Sequence, residues 1–360
     1  MLHVLSPAHD HFHDLAIPGS YEWSYYDGLS EDGEWGFVAI WFRGCPMSPW
    51  YTAAIDRSAR NPHREHPDPI DHVAVNFALY HRERRIFHLL RASRGSDWRA
   101  IGPDVRLGRN GLHTMGLPDG RRRTSMTLDL HRLGSRLVGE IDLVAPIVGA
   151  TEGSGDVGET SRGHFWVPIE PGGDVAARLE LRISGMRTRP IRFSGRSYHD
   201  RNVGTDPLHH LQADWFWGRL HAGGRTFIYY AVLPDDLSLP SFKRVMLFEE
   251  GTPVQEVADF DFVEGARRRH WSTLSCADEL RGRRADGASV FTARRRAFLD
   301  SGPFYHRMLS DIIVQEENGR ELRGIGMCEY LRPDRLGIAA FRPFVKMRVS
   351  RRAERLRPRP

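Results

Sequence analysis

Apolar and polar residues alternate in short runs along most of this chain, the period of a strand with two unlike faces. The segment YEWSYYDGLSEDGEWGFVAIWFRG predicts a strand from Tyr21, a turn over Ser30 to Gly33, and a second strand from Trp35 to Arg43. In the second strand Phe37, Ala39 and Trp41 take one face, and Val38, Ile40 and Phe42 take the other. A strand apolar on both faces reads as a central strand, or as the wall of a barrel around a ligand cavity. Strands are also predicted over His72 to His81, Arg85 to Ala92, Thr124 to His131 and Arg136 to Ala145. The last two close as a hairpin through Leu133-Gly134-Ser135.

A Gly-, Ser- and Thr-rich stretch, Val148 to Gly163, reads as a flexible loop. HFWVPIEP, Ala177 to Ile183 and a run from Ile191 follow it. Next comes an aromatic hairpin, Trp215 to Leu220 and Thr226 to Val232, about Ala222-Gly223-Gly224. The pattern continues over Arg244 to Glu249, Val254 onward, His270 to Cys276, Ala288 to Arg294, Asp311 to Glu316 and Leu322 to Tyr330, with turns at Glu250-Gly251 and Asn318-Gly319. Helical periodicity is almost absent. Phe304 to Leu309 reads as a turn or two of helix, Pro46 to Pro69 as irregular, and residues 1–17 as a loose, His-rich leader.

Many short antiparallel strands in two blocks define an all-β chain of two barrels or sandwiches. The blocks fall at residues 18–205 and 206–350, with a basic tail at 351–360. The 22 prolines and 35 glycines agree with frequent turns. No run reaches the roughly 20 apolar residues of a membrane span, and the N-terminus lacks the basic start and apolar core of a signal peptide. A cytoplasmic protein is expected. Cys45, Cys276 and Cys328 match no disulfide framework or zinc spacing and are expected to be reduced, buried thiols. The net charge of +5 comes mainly from scattered arginines, among them Arg121–Arg123, Arg267–Arg269 and Arg294–Arg296. No nucleic-acid-binding motif accompanies them. The tail KMRVSRRAERLRPRP is either a solubilising segment or a peripheral tether to an anionic inner-membrane surface.

Metal chemistry finds little support. An extended leader would align His9, His11 and His13, although histidines near a terminus ordinarily hold no metal, and His63-Arg-Glu-His66 lacks the spacing of a zincin. Two pairs spaced by one residue stand out instead: His164 with Trp166, and Tyr198 with Asp200. Residues two apart in a strand share a face. If both strands face one cavity, it holds an imidazole, an indole, a phenol and a carboxyl group. Burial among aromatic rings raises an aspartate's pKa, leaving a neutral acid able to donate a proton. Aromatic faces stabilise a cation by about 0.5–2 kcal/mol each. Such a site suits protonation of an alkene, with His164 positioning the acid or a water. The same Tyr-x-Asp could equally be a turn cap, His164 and Trp166 ordinary core, and Asn202 and Gly204 turn formers. Trp23, Tyr25, Trp215, Trp217 and Tyr229 are the residues expected to wall the pocket.

HFWVPIEP, YHDRNVG followed by Pro207-Leu208, and WFWGRL with TFIYY resemble the carotenoid 1,2-hydratase (hydroxyneurosporene synthase) family. YEWSYYD looks like its opening motif, and FLDSGPFYHRM, GMCEYLRPDRL and FRPFVKMRV resemble its C-terminal landmarks. The resemblance covers Tyr21 to Arg352; His199 departs from it, standing where the family carries an apolar or aromatic residue. It implies two lipocalin-like β-domains, no organic or metal cofactor, and a lipophilic polyene or isoprenoid substrate. It also implies water addition across a terminal C1=C2 bond of an acyclic carotenoid, with Asp200 as proton donor supported by Tyr198, His164 and Trp166. Related cyclases or pericyclases, and a carrier that leaves its ligand unchanged, are the alternatives.

Overall fold

The computed structural model of the chain describes residues 2–13, 15–61, 63–147, 157, 162–316, 319–345 and 347–349. It is mostly β, as the alternation predicts, and its strands form two strongly curled half-barrel sheets. The first draws its strands from residues 2–204, and Met347–Val349 returns to its edge beside Arg84–Ala92. Its middle is built from the antiparallel neighbours Trp35–Arg43, Tyr21–Ser30, Arg189–Gly204 and His164–Ile183. The second sheet runs from Ala213 to Leu331, with the hairpin Ala213–Ala222 and Arg225–Pro234 beside Glu321–Leu331.

Each sheet buries one face in a core of its own. Tyr26, Phe37, Trp41 and Phe77 fill the interior of the first sheet, and Phe216, Phe227, Tyr229 and Phe291 that of the second. A third core joins the two sheets through the opposite faces, with Tyr25, Val38, Ile40, Trp166 and Tyr198 from one and Trp215, Trp217 and Tyr230 from the other. The strand Trp35–Arg43 is central, as expected, and its Ile40 and Phe42 line a cavity that lies between the sheets rather than inside one of them. Side chains pack the interior of the first sheet, and the strand apolar on both faces serves two cores.

The longest strand records this change of surroundings. Over Asp174–Arg182 alternate residues are buried, whereas His164–Pro171 are buried on both faces, because the second sheet covers one face there and the leader residues Leu5, Leu15 and Ile17 cover the other. Register shifts between Pro168 and Glu170 and between Glu170 and Gly173 mark the transition. Its neighbour Arg189–Gly204 shows the same change, with every residue buried from Ser197 through Gly204.

Several local expectations are corrected. Pro46 to Pro69 contains a helix, Pro49–Arg60, in which the Ser48 hydroxyl accepts from the Tyr51 amide and Pro49 opens the first turn. Its buried residues Tyr51, Thr52, Ile55 and Ser58 have helical spacing. Phe304 to Leu309 is extended, within the strand Tyr305–Gln315. Trp98–Ile101, Asp104–Leu107 and Asn110–Gly116 add a meander that the sequence pattern did not single out. His270 to Cys276 is mainly a turn between the short strands Arg267–Arg269 and Ser275–Ala277. The leader is tied down: Leu2–Val4 pairs in parallel with His164–Trp166, and Leu5, Leu15 and Ile17 are buried beside Phe165, Val167 and Val203. The flexible-loop expectation over Val148 to Gly163, the Asn318 turn residue and the 351–360 tail fall mostly or wholly outside the described residues. Cys45, Cys276 and Cys328 are buried free thiols, as expected.

Candidate active site

The site lies where the two sheets meet, and strand periodicity builds it. Tyr198, Asp200 and Asn202 share one face of their strand, and His164 and Trp166 lie beside them on the neighbouring one. Facing them are Trp215, Trp217 and Tyr230 of the aromatic hairpin. The other face of Arg189–Gly204 points away. There His199 stacks on Tyr26 with ring centroids 3.9 Å apart, and Arg201 donates to Asp10 at 2.5 Å.

Asp200 sits inside the strand, so the turn-cap reading of Tyr-x-Asp is overturned. Its Oδ2 accepts from Trp166 Nε1 and from the Tyr198 hydroxyl, each at 2.7 Å. Its Oδ1 accepts from Asn202 Nδ2 at 3.1 Å. Both lone pairs of Oδ2 are thus engaged, which leaves the second lone pair of Oδ1 as the place for an acidic proton. Burial pushes the carboxyl up to about 7; the bonds from Tyr198 and Trp166 pull it down, and the charges of Glu329 and Asp27 add to the rise. The acid is therefore partly protonated at neutral pH, and three donors await its carboxylate.

His164 belongs to the same network without touching Asp200. Its Nε2 lies 2.9 Å from Asn202 Oδ1, and its Nδ1 lies 2.8 Å from the Tyr21 hydroxyl. Because Asn202 turns its amide nitrogen to Asp200, its oxygen faces the imidazole, so Nε2 donates and Nδ1 accepts from Tyr21. Burial lowers the His164 pKa to about 3, so the ring is neutral. Tyr230 closes the network: its hydroxyl donates to Asn202 Oδ1 at 3.1 Å, and its ring stacks on Trp166 with centroids 4.8 Å apart.

These groups open into a cavity of about 320 Å³. Trp23, Tyr25, Trp215, Trp217 and Tyr230 line it, with Asp200 and Asn202 in the wall. Tyr229 is not among the lining residues: it occupies the other face of its strand, stacked on Phe291 at 4.8 Å, and its neighbour Tyr230 takes the expected place. Trp166, Tyr198 and His164 sit behind the lining and hold the residues that form it. One part of the wall is charged. Glu329 Oε1 accepts from the Tyr25 hydroxyl at 3.0 Å and from Arg307 Nε at 2.8 Å, and Arg307 also donates to the Tyr80 hydroxyl.

Reading the sequence missed Asn202, Tyr21, Tyr230, Glu329 and Arg307. The first had a signal: Asn202 continues the same two-residue spacing as Tyr198 and Asp200. The others come from strands whose pairing the sequence does not state.

A lipocalin-like pair of curled sheets enclosing an aromatic-walled acid at their junction is the class this fold and site define. The solved structures of an AttH-like protein from Nitrosomonas europaea and of kievitone hydratase from Nectria haematococca share the fold. The first has a TM-score of 0.58 at 17% identity, covering 91% of this chain and 96% of the other. The second has a TM-score of 0.51 at 11% identity, covering 92% and 95%. Residues 39–357 match the family described as carotenoid hydratase CrtC, and the chain belongs to that family of hydro-lyases. A hydroxyneurosporene dehydrogenase of Chlorobaculum tepidum is 28% identical over 94% of this chain and 90% of its own length. The acyclic carotenoid 1,2-hydratases of Thiocapsa roseopersicina and Rubrivivax gelatinosus are 33% and 29% identical over 63% and 60% of this chain. The matches span about half the length of each hydratase, 51% and 48%.

Proposed function

We propose that this protein hydrates the terminal C1=C2 bond of an acyclic carotenoid, with Asp200 as the acid. The observation that carries this reading is one carboxyl group, fully buried, raised to about 7 and set in the wall of a cavity lined by indoles and phenols. Asp200 protonates C2, and the positive charge develops at the tertiary C1. The faces of Trp215, Trp217 and Tyr230 lie along that cavity and favour positive charge within it. Water adds to C1, and loss of its extra proton restores the acid form of Asp200. Trp166, Tyr198 and Asn202 stabilise the carboxylate during the interval. His164, held neutral, fixes the Asn202 amide and so the position of the acid.

The test is product analysis by mass spectrometry after incubation with lycopene or neurosporene in heavy-oxygen water. A product that has gained one heavy-labelled water is the expected result. An isomer of the substrate would mean cyclisation, loss of two hydrogens dehydrogenation, and an unchanged polyene mere binding. Any of these would overturn the hydratase reading.

We infer also that the cavity mouth meets a lipid surface, since a carotenoid resides in the bilayer. Trp271 and Phe344 line the mouth while 69% and 50% exposed, and Arg342 lies close to Phe344 in sequence. No helix among the described residues is long and apolar enough to cross a membrane. Replacing both aromatic residues by serine is expected to abolish co-sedimentation with anionic vesicles while leaving hydration of detergent-dispersed substrate intact. Undiminished vesicle binding would refute this surface.

A further inference from the structure

The geometry points to a transition-metal site in the N-terminal leader, formed by His9, His11 and His13 and suited to a borderline divalent ion such as Zn²⁺. One ring nitrogen from each of the three histidines lies within 4.8 Å of the others. His9 Nδ1 and His13 Nε2 are 3.1 Å apart. Two ligands on zinc bonds of about 2.0–2.1 Å in a tetrahedron sit about 3.3 Å apart, so the pair is spaced for a shared ion.

This arrangement is built rather than accidental. Asp10 and Phe12 anchor the segment inward: Asp10 accepts from Arg122 and Arg201 at 2.5 Å, and Phe12 packs edge-on against Trp98 beneath the Arg201 guanidinium. The intervening histidines are left to converge on one another, with the His11 and His13 ring centroids 4.5 Å apart.

The second, independent observation is Glu22. This buried carboxylate accepts the His13 backbone amide at 2.9 and 3.0 Å and lies 3.3 Å from His13 Nδ1. At 3.3 Å the contact is a charge approach rather than a formed hydrogen bond. It favours the proton on Nδ1, which leaves the Nε2 lone pair facing His9, and a small turn of the ring would complete the carboxylate–histidine arrangement found behind zinc ligands. Arg43 and Arg201 nearby oppose a cation, and the Glu22 carboxylate offsets part of that charge. The other such cluster, Asp56 with His209 and His210, has Arg342 at 3.8 Å from the same carboxylate and no comparable buried acid behind a histidine. Three imidazoles leave a fourth position for water.

The full chain, prepared without a histidine tag and stripped with chelator, would be titrated with Zn²⁺ by calorimetry and its melting followed. One ion per chain and a raised melting temperature are expected, as is a cobalt spectrum of tetrahedral type. His11→Ala, at a half-buried ring, should weaken uptake by at least about tenfold, and Glu22→Gln by about 10–100-fold. Asp200→Asn should bind zinc as the parent does, so this result stands apart from the hydratase reading. Absence of stoichiometric uptake by the parent, or equal uptake by a folded His9→Gln/His11→Gln variant, would overturn the site.

Discussion

An Asp200→Asn chain is expected to lose hydration activity by about 10²–10⁴-fold or more and yet to be more stable than the parent above pH 7. The two effects share one cause. Burial holds the carboxyl at about 7, whereas an unfolded aspartate titrates near 4. Between those values the folded chain keeps a proton that the unfolded chain releases, so stability declines as pH rises through the interval. A shift of roughly 3 pH units corresponds to about 4 kcal/mol at alkaline pH. Asparagine carries no charge to bury and escapes this cost, less whatever the network loses when Asn202 must turn its amide to meet a second amide. Urea unfolding at pH 6 and pH 8.5 measures it: the variant's advantage should grow with pH.

Activity should move in the corresponding direction. With Asp200 as the proposed proton donor the acid form is required, so kcat of the parent should fall as pH rises through about 7. Tyr198→Phe removes one of the three donors to the carboxylate while keeping the ring. The acid should weaken and the alkaline limb should move to higher pH, with a lower plateau. An Asp200→Asn chain that turns over at the parent's rate would end the assignment of Asp200.

The two-residue spacing of Tyr198 and Asp200, and of His164 and Trp166, was enough to anticipate which side chains share a face, because a strand permits only two. It could not show that the two strands are neighbours in the register that brings Trp166 Nε1 to Asp200. It also could not show that Asn202 relays the contact to His164, since that depends on the strand continuing to Gly204 alongside His164–Trp166. The strand Trp35–Arg43 was legible as apolar on both faces, but not as shared between two cores, since that depends on the second sheet covering the first. Tyr229 and Tyr230 show the same limit. Both are buried aromatics, and which of them faces the cavity is decided by the register with Ala213–Ala222 and Phe242–Glu249. The helix at Pro49 carries a signal in its Ser-Pro start and apolar spacing, although the segment reads as irregular. It was obscured by the prolines and charges around it.

Arg219→Ala is expected to be the most disruptive single change to stability, at about 3–5 kcal/mol. Tyr21, Trp23, Tyr25 and Asp27 form one row on the first sheet, and Trp215, Trp217 and Arg219 form one on the second. The aromatic members of both rows face the region of the cavity, and the rows end in an ion pair that ties the sheets together. Arg219 Nε donates to Asp27 Oδ1 at 2.7 Å, its second nitrogen bonds the same oxygen, and both side chains are buried. Burial pushes the Asp27 carboxyl above the ordinary range, and Arg219 pulls it back. Without the guanidinium, Asp27 must either remain charged and unpaired or take up a proton. The loss should therefore be smallest at acid pH and grow as pH rises. Replacing both partners, as Asp27→Asn with Arg219→Met, removes the buried charges together and should recover most of the stability. Denaturant unfolding of the two variants and the parent at two pH values decides the matter. A single substitution costing less than about 1 kcal/mol, the range of an exposed pair, would show that the apolar contacts alone hold the sheets together.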